Sequence, residues 1–434
     1  MKKTLENYFE FNKHNAMWKT EILAGLSTFL SLSYIFVVNP SILSEGGINK
    51  SAALFATVIV SSMATIIMGW WAKKPFALAP GLEMNSYVVY FLILGIGVSW
   101  QVGLGAVFWS GVLFVLLTIT NIRMKIIEAI PDSLKLGLSA SVGIFIIIIA
   151  LRLSGILIYE EISISSVSSP LTYKSLVMVF GFIVVVVLHK FEFKAFILIS
   201  IVLGTTLAHF LGLAPKEVQE ISIDKEMLSA FFAFDLSVIF NPKVYSAVII
   251  LFVIDFYGSI AKFIGLTQNT SILDEDGKMP RTKEALMIDG SATVVGSALG
   301  TTSITTFVES GIGIKVGGRT GITAITCGIL MLLFIPLAPL VKLVPVIATT
   351  GALLWVGIKI FPEVKELKAI TKTELITIAI MMIVTVMTFA LDKAMLIGFS
   401  FYIMSLLIVG NKKKINVYLI MSVILILIAT LLSS

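Results

Sequence analysis

The chain has 434 residues, of which 57% are hydrophobic and only 13% are charged, and its mean hydropathy is +1.01. Soluble globular domains carry about 25% charged residues, so this composition excludes a soluble protein and predicts one integrated membrane domain over residues 1–434. The formal net charge of +6 is typical of lysines and arginines in cytoplasmic loops, and does not indicate a nucleic-acid-binding protein.

Apolar runs divide the chain into candidate membrane-spanning segments. A spanning helix needs about 20 mostly apolar residues. Fourteen runs meet or approach this length, in the order 21–39, 51–70, 76–97, 101–120, 134–152, 174–190, 194–213, 243–265, 285–300, 303–316, 320–340, 343–361, 372–390 and 393–410. A further run at 415–432 is ambiguous, because it can span the membrane or pack along its surface.

The loop charges support this count. If the N-terminus is cytoplasmic, every second loop is basic, and these loops hold Lys73, Lys74, Arg123, Lys125, Lys135, Lys190, Lys194, Lys278, Arg281, Lys283, Arg319, Lys365, Lys368, Lys372 and Lys412 to Lys414. The opposite loops are rich in acids, among them Glu160, Glu161, Glu217, Glu220 and Asp224. This alternation follows the positive-inside rule, and it predicts a multi-pass protein of the cell (plasma or inner) membrane.

Two of the fourteen segments are interrupted. The third begins with PFALAPG at 75–81, where two prolines and a glycine break an α-helix; the tenth, at 300–311, is short and rich in threonine and glycine. Both are third in a set of seven, which predicts inverted repeats over 21–213 and 243–410. Paired broken helices of this kind indicate the binding site of a transporter.

Acidic residues inside spans are costly and indicate function by default. Asp255 lies midway along the eighth span, and Glu309 follows the break in the tenth, where backbone N–H groups lack helical partners. We predict that both contact the ligand. One of them, which the sequence does not single out, is expected to carry a proton.

Other residues near the breaks are candidates for the same site. Asn85 follows the third-segment break and is predicted at the pocket as a ligand contact or a helix cap. Glu83 lies within that break, where it either lines the cavity or pairs with a base such as Lys315. Asp289 is expected to hold a neighbouring helix or a broken backbone end.

Aromatic side chains close to the acids are predicted to stack on a planar ligand, since base–aromatic stacking is favourable. The candidates are Phe256, Phe307 and Tyr257. The three histidines have no metal-ligand spacing and the chain has no P-loop. We therefore expect no metal, no cofactor and no ATP hydrolysis.

Several stretches resemble the AzgA-type purine permeases of the nucleobase:cation symporter-2/nucleobase–ascorbate transporter group. The most specific is TTFVESGIGIKVGGRTGITA at 305–324; TEILAGLSTFLSLSYIFVVNPSIL at 20–43 and PFALAPGLEMNSY at 75–87 also match. The resemblance implies an all-α protein with fourteen spans in two inverted repeats of seven, a core and a gate domain, and short extended stretches in the third and tenth segments.

The same resemblance implies a function. The base would bind between the third and tenth segments, with polar contacts at Asn85, Asp255 and Glu309, and transport would be coupled to protons in a homodimer. The chain departs from the family at GLEMN (81–85), where GMGLN is usual, and at IDFYGS (254–259), where FDTIGT is usual. These differences affect the identity of the predicted substrate more than the predicted class of transporter.

The sequence therefore predicts a secondary transporter, not an enzyme, that imports adenine, guanine or hypoxanthine with a proton by alternating access. A symporter of the same fold for an anion such as sulfate, or for uracil or xanthine, is the alternative. Two intramembrane acids disfavour an anion. A membrane-embedded enzyme would need a nucleophile–base pair or metal ligands within its spans, and the sequence shows none. A channel is also possible, but paired broken helices with single acids fit a gated binding site better.

Overall fold

The structure is a computed structural model. It describes residues 2–120, 131–160, 163–167, 172–213, 225–241, 244–267, 270–275, 278–341, 343–411 and 415–433. Some loop charges used above lie outside these residues, namely Arg123, Lys125, Glu161, Glu217, Glu220, Asp224 and Lys412 to Lys414.

The described residues of the first part of the chain include ten helices and three strands. They are α1 (Lys2–Tyr8), α2 (Phe11–His14), α3 (Trp18–Leu32), α4 (Ile35–Glu45), α5 (Lys50–Ile67), β1 (Leu78–Pro80), α6 (Leu82–Ser86), α7 (Trp100–Ile119), α8 (Asp132–Leu153), β2 (Leu157–Glu160), β3 (Ser163–Val167), α9 (Tyr173–Lys190) and α10 (Phe196–Phe210). Helices α5 and α6 continue as π-helices, Met68–Ala72 and Tyr87–Ile96.

The second part is also mainly helical, and its described residues contain one strand. Its elements are α11 (Tyr245–Thr267), α12 (Thr282–Leu299), β4 (Ile304–Thr306), α13 (Ser310–Val316), α14 (Gly321–Met331), α15 (Ala338–Val341), α16 (Thr350–Ile360), α17 (Val364–Ala369), α18 (Lys372–Thr388), α19 (Leu391–Ile408) and α20 (Val417–Ser433). Short 3-10 turns cover Lys225–Leu228, Leu236–Phe240, Leu332–Phe334 and Val346–Thr349.

Six helical stretches of the described chain are long and apolar enough to cross a membrane. They are Trp18–Glu45, Lys50–Ala72, Trp100–Ile119, Ser133–Leu153, Tyr173–Lys190 and Val346–Ala369. Shorter apolar helices of 10–17 residues lie in most of the other predicted spans. The polytopic, mainly helical architecture is confirmed, and the count of fourteen spans stays a prediction.

Local boundaries differ from the prediction in two places. The sequence predicts that the first segment ends at residue 39, but α4 continues to Glu45 with Pro40 inside it, because Ile42 and Leu43 beyond the proline are apolar and buried. The hairpin of β2 and β3, which pair antiparallel, was not predicted, since strands this short leave no signal in a search for apolar runs.

The interrupted segments contain the extended stretches that the resemblance implied. Strands β1 and β4 pair antiparallel, with Leu78 opposite Thr306 and Pro80 opposite Ile304. The Gly81 N–H donates to the Ser303 carbonyl at 3.0 Å. A two-stranded ladder leaves its outer edges unpaired, and such edges need partners at membrane depth.

Hydroxyl side chains supply those partners. The Leu78 N–H donates to Thr65 Oγ1 at 2.9 Å, the Ala77 N–H to Ser310 Oγ at 3.0 Å, and the Ile304 N–H to Thr293 Oγ1 at 3.2 Å. Thr65 and Thr293 belong to the neighbouring helices α5 and α12 and Ser310 to α13, so hydroxyls of the surrounding helices allow non-helical backbone to persist in an apolar setting.

The helices pack in two groups. One contains α3, α5, α7 and α11 to α14, together with the β1–β4 pair; the other contains α8, α9, α10, α16, α18 and α19. Helix α20, whose placement the sequence left open, packs on α11 and α19. The first group therefore carries both interrupted segments.

Candidate functional site

The carboxylate of Glu309 lies directly after β4, at the start of α13. The Tyr34 hydroxyl donates to its Oε1 at 2.8 Å. Its other oxygen, Oε2, is buried and has no hydrogen-bond partner among the described residues. Most buried polar atoms are paired, so this oxygen is available to a hydrogen-bond donor that arrives from outside the chain.

Asp255 lies on α11 and is 2% exposed. Its Oδ2 accepts from Ser303 Oγ at 2.8 Å and from Thr293 Oγ1 at 3.2 Å. Ser303 is the residue before β4, so this carboxylate holds the end of the extended stretch against two helices. Asp255 thus lies beside the tenth-segment break, and its contact with a ligand stays a prediction.

Asp289, on α12, holds the other end of the same strand. Its Oδ1 accepts from the Thr306 N–H at 2.9 Å, and its Oδ2 accepts from the Ser259 hydroxyl. The side chain is fully buried. This is the structural role predicted for Asp289, a carboxylate that satisfies a broken backbone end.

We expect Asp289→Ala to destabilise the protein, because the Thr306 N–H would lose its acceptor inside the core. Leaving one buried donor unsatisfied costs about 1–3 kcal/mol. Asp289→Asn keeps an oxygen for that N–H and is expected to cost less. Thermal unfolding of the detergent-solubilised protein measures both, and equal melting temperatures for wild type and Asp289→Ala would contradict this role.

Asn85, on α6, is fully buried next to the same strands. Its Nδ2 donates to Asn39 Oδ1, and its Oδ1 accepts from the Thr302 hydroxyl. Asn39 also donates to Thr57 Oγ1 at 2.7 Å and to Thr301 Oγ1 at 3.0 Å. The amide therefore ties the third segment to α4, α5 and the approach to β4.

Glu83 forms an ion pair that the sequence did not assign. Lys262 Nζ lies 3.2 Å from Glu83 Oε1 and also donates to Thr305 Oγ1 at 3.3 Å. The suggested partner, Lys315, is exposed in the last turn of α13, so that pairing is wrong. Lys262 follows Asp255 by about two helical turns and so lies on the same face of α11.

The charged groups around the strand pair are electrostatically connected. Lys262 interacts with Glu83, Asp289 and Asp255, and Glu309 feels both Lys262 and Glu83. Among these groups only Glu83 contacts Lys262 directly, at 3.2 Å, and Glu309 Oε2 remains the carboxylate oxygen without a hydrogen-bond partner in the described chain, which suits a ligand that brings an N–H donor.

The predicted aromatic residues are packed rather than open. Phe256 is fully buried and its ring lies 5.0 Å from that of Phe252, while Phe307 is 6% exposed. The side chain of Tyr257 lies outside the described residues. Stacking of these rings on a ligand stays a prediction.

Two residues of the site escaped the sequence reasoning. Tyr34 lies at the junction of α3 and α4, and only its distant partner Glu309 shows that its hydroxyl matters. Lys262 is the second, and the available signal was a lysine two helical turns after Asp255, on the same face of a spanning helix.

Comparison with known proteins identifies the family. The sequence model Xan_ur_permease, described as a permease family, matches residues 19–394. The adenine permease AdeP of Escherichia coli (strain K12) is 33% identical over 92% of this chain and 89% of its own length. The guanine/hypoxanthine permease PbuG of Bacillus subtilis (strain 168) is 31% identical over 95% of this chain and 96% of its own.

A solved structure shows the same fold at low sequence identity. The transmembrane domain of the cyanobacterial bicarbonate transporter BicA superposes with a TM-score of 0.63 at 16% identity, over 95% of this chain and 97% of that one. The resemblance to purine permeases noted from the motifs is confirmed. The chain is a membrane-embedded member of the Xan_ur_permease family whose relatives are adenine and guanine/hypoxanthine permeases.

Proposed function

We propose that the protein is a secondary transporter that imports a purine nucleobase, adenine, guanine or hypoxanthine, together with a proton. The observation that carries the proposal is Glu309 Oε2, a buried carboxylate oxygen with no hydrogen-bond partner in the described chain. A purine N–H would satisfy this oxygen, and charge-assisted hydrogen bonds are stronger than neutral ones. The purine permeases among its relatives support the choice of ligand.

The proposed site lies around the β1–β4 pair. Glu309 binds the base directly. Asp255 lies beside the same strand and, through its hydrogen bonds with Ser303 and Thr293, holds the strand in position at the site. Asn85 positions the residues just before β4 through its hydrogen bond with Thr302. Phe307 and Phe256 supply the apolar surface on which the purine ring stacks. One of the two acids, Asp255 or Glu309, takes up the coupled proton.

Transport would follow alternating access. We propose that the fourteen spans form two inverted repeats, 21–213 and 243–410, and that the core group carrying both strands moves against the gate group. The two packed helix groups of the fold support this division. A homodimer in the plasma or inner membrane, with cytoplasmic N-termini, completes the proposed assembly.

An anion transporter of the same fold is the second candidate, because the BicA domain has a similar structure. The acids beside the strand pair disfavour an anion, since the Lys262 ammonium is already paired with Glu83 and the Glu309 carboxylate would repel a negative charge. Uracil and xanthine also present N–H donors, and they belong in any test of specificity.

Uptake into cells that lack their own purine permeases tests the proposal. We expect saturable accumulation of at least one radiolabelled base among adenine, guanine and hypoxanthine, with uracil, xanthine and sulfate as comparison substrates. A protonophore is expected to abolish accumulation above the equilibrium level, because the proton gradient supplies the energy. Uptake of sulfate alone would overturn the purine assignment, and protonophore-insensitive accumulation would overturn the proton coupling.

A further inference from the structure

We infer that Lys262 determines substrate specificity by favouring bases with a carbonyl oxygen next to a ring N–H, as in hypoxanthine and guanine, over adenine. The inference rests on the proposed function and narrows its substrate class. It concerns a residue that neither the motifs nor the comparisons assign to the site.

Lys262 is accessible where the neighbouring acids are not. Its side chain is 18% exposed and that of Glu83 is 14% exposed, whereas Asp255 and Asp289 are 2% and 0% exposed. The Glu83–Lys262 ion pair is therefore the more accessible part of this cluster, and the side chains of Asp255 and Asp289 are more deeply buried.

Open space lies on the same face of α11. Gly258 precedes Lys262 by one helical turn, and residues four apart are neighbours on a helix surface. A Cβ built on Gly258 would meet no atom of the described chain within 4 Å. A ligand next to Gly258 would thus lie against the lysine side chain.

The lysine is a pure hydrogen-bond donor. An ammonium group has three N–H donors and no acceptor, and the structure uses two of them, on Glu83 Oε1 and Thr305 Oγ1. The remaining donor calls for an acceptor on the ligand. The unpartnered Glu309 Oε2 calls for a donor, and Glu309 follows β4, the strand whose Thr305 accepts from Lys262.

Bases differ in how they meet such a pair. Hypoxanthine and guanine carry the acceptor O6 beside the N1–H donor, so O6 can face Lys262 while N1–H faces Glu309; the 2-amino group of guanine adds a second donor to the carboxylate. Adenine carries a donor amino group where O6 would be. On the same N1/C6 edge, adenine can meet both charges only with its ring turned over, which moves the imidazole ring to the other side of the site.

The test measures competition in the uptake assay. Unlabelled hypoxanthine, guanine, adenine and unsubstituted purine, which lacks O6, compete against labelled hypoxanthine and labelled adenine. For the wild type we expect half-inhibition by hypoxanthine or guanine at concentrations at least about tenfold below those of adenine and unsubstituted purine, since sites built for a polar group reject ligands that lack it.

Variants then assign the preference to Lys262. Lys262→Gln both donates and accepts, so the preference is expected to fall to within about threefold, whereas Lys262→Arg, a pure donor, keeps it. Lys315→Gln, the same change at an exposed lysine, is the matched control and should match the wild type.

The outcomes separate this inference from the proposed function. A wild type that prefers adenine, or an unchanged preference in Lys262→Gln, overturns the role of Lys262 while leaving purine transport in place. Inhibition by none of the bases overturns the proposed function itself. If Lys262→Gln fails to reach the membrane, the wild-type series and Lys262→Arg still decide, because loss of preference in the arginine variant contradicts a donor role.

Discussion

Glu309→Gln is expected to lower the rate of purine uptake at limiting substrate by roughly 100-fold, which corresponds to about 2.8 kcal/mol of lost binding at about 1.4 kcal/mol for each factor of ten. The carboxylate presents a charged acceptor at Oε2, and the Tyr34 hydroxyl occupies Oε1. Glutamine replaces one oxygen with an NH₂ group. That group either faces the base as a second donor, or turns toward Tyr34 and leaves a weaker, neutral acceptor for the base.

The measurement is initial uptake at substrate concentrations far below saturation, normalised to protein in the membrane. Glu275→Gln makes the same change at an exposed site of the described chain and is expected to keep wild-type uptake. Unchanged uptake in Glu309→Gln, with normal expression, would exclude Glu309 as a substrate ligand. Tyr34→Phe removes only the hydroxyl that donates to Glu309 Oε1 and leaves the carboxylate in place, so it is expected to lower uptake less than Glu309→Gln does.

Among the variants proposed for stability measurements, Gly321→Ala is expected to destabilise the protein most. A Cβ on Gly321 would overlap the Gly69 carbonyl oxygen and would lie 2.7 Å from the Gly69 carbonyl carbon. Both atoms belong to backbone, so no side-chain rotation relieves the overlap. Overpacking typically costs about 1–3 kcal/mol and occasionally more, and here we expect the upper end, because α14 and the π-helical turn at 68–72 must separate.

Thermal unfolding in detergent and the amount of monodisperse protein recovered from membranes measure this effect. Gly265→Ala is the matched control: Gly265 is exposed on α11, and its Cβ would meet no described atom within 4 Å. The control is expected to be neutral or slightly stabilising, since alanine favours helix. If the two variants had equal melting temperatures, the close approach of α14 to Gly69 would be wrong.

Gly321 also shows how specific motifs relate to structure. It belongs to the GGRTG stretch that carries much of the family resemblance, and its backbone approaches that of Gly69 within a distance that only glycine permits. In the same stretch, the Arg319 and Thr320 N–H groups donate to the fully buried Glu21 at 2.9 and 3.2 Å. Part of the motif therefore serves packing between the ends of the core helices and not ligand contact.

The Glu83–Lys262 ion pair could not be identified from the sequence alone. The two residues are 179 positions apart, and an acid in a helix break is compatible with several basic partners. Lys315 was a reasonable candidate because it lies near Glu309 in sequence, yet α13 turns it outward. Only the packing of α11 against the third segment brings Lys262 to Glu83.

The amino-acid sequence determined the features that depend on local chemistry. Long apolar runs require a bilayer, prolines and glycines interrupt the third segment, threonines and glycines interrupt the tenth, and acids placed in spans predict a polar site. Each of these follows from a few consecutive residues, because hydrophobic burial and backbone hydrogen bonding act at that scale.

The tertiary structure alone decided which polar groups meet. Tyr34 reaches Glu309 across 275 positions, Thr302 reaches Asn85 across 217, and Asp289 secures Thr306 from a neighbouring helix. Contacts between distant segments depend on how helices cross and on the register of the β1–β4 pair. A shift of one residue in that register would turn each side chain of the strand to the opposite face, so the composition of the site is a property of the assembled fold.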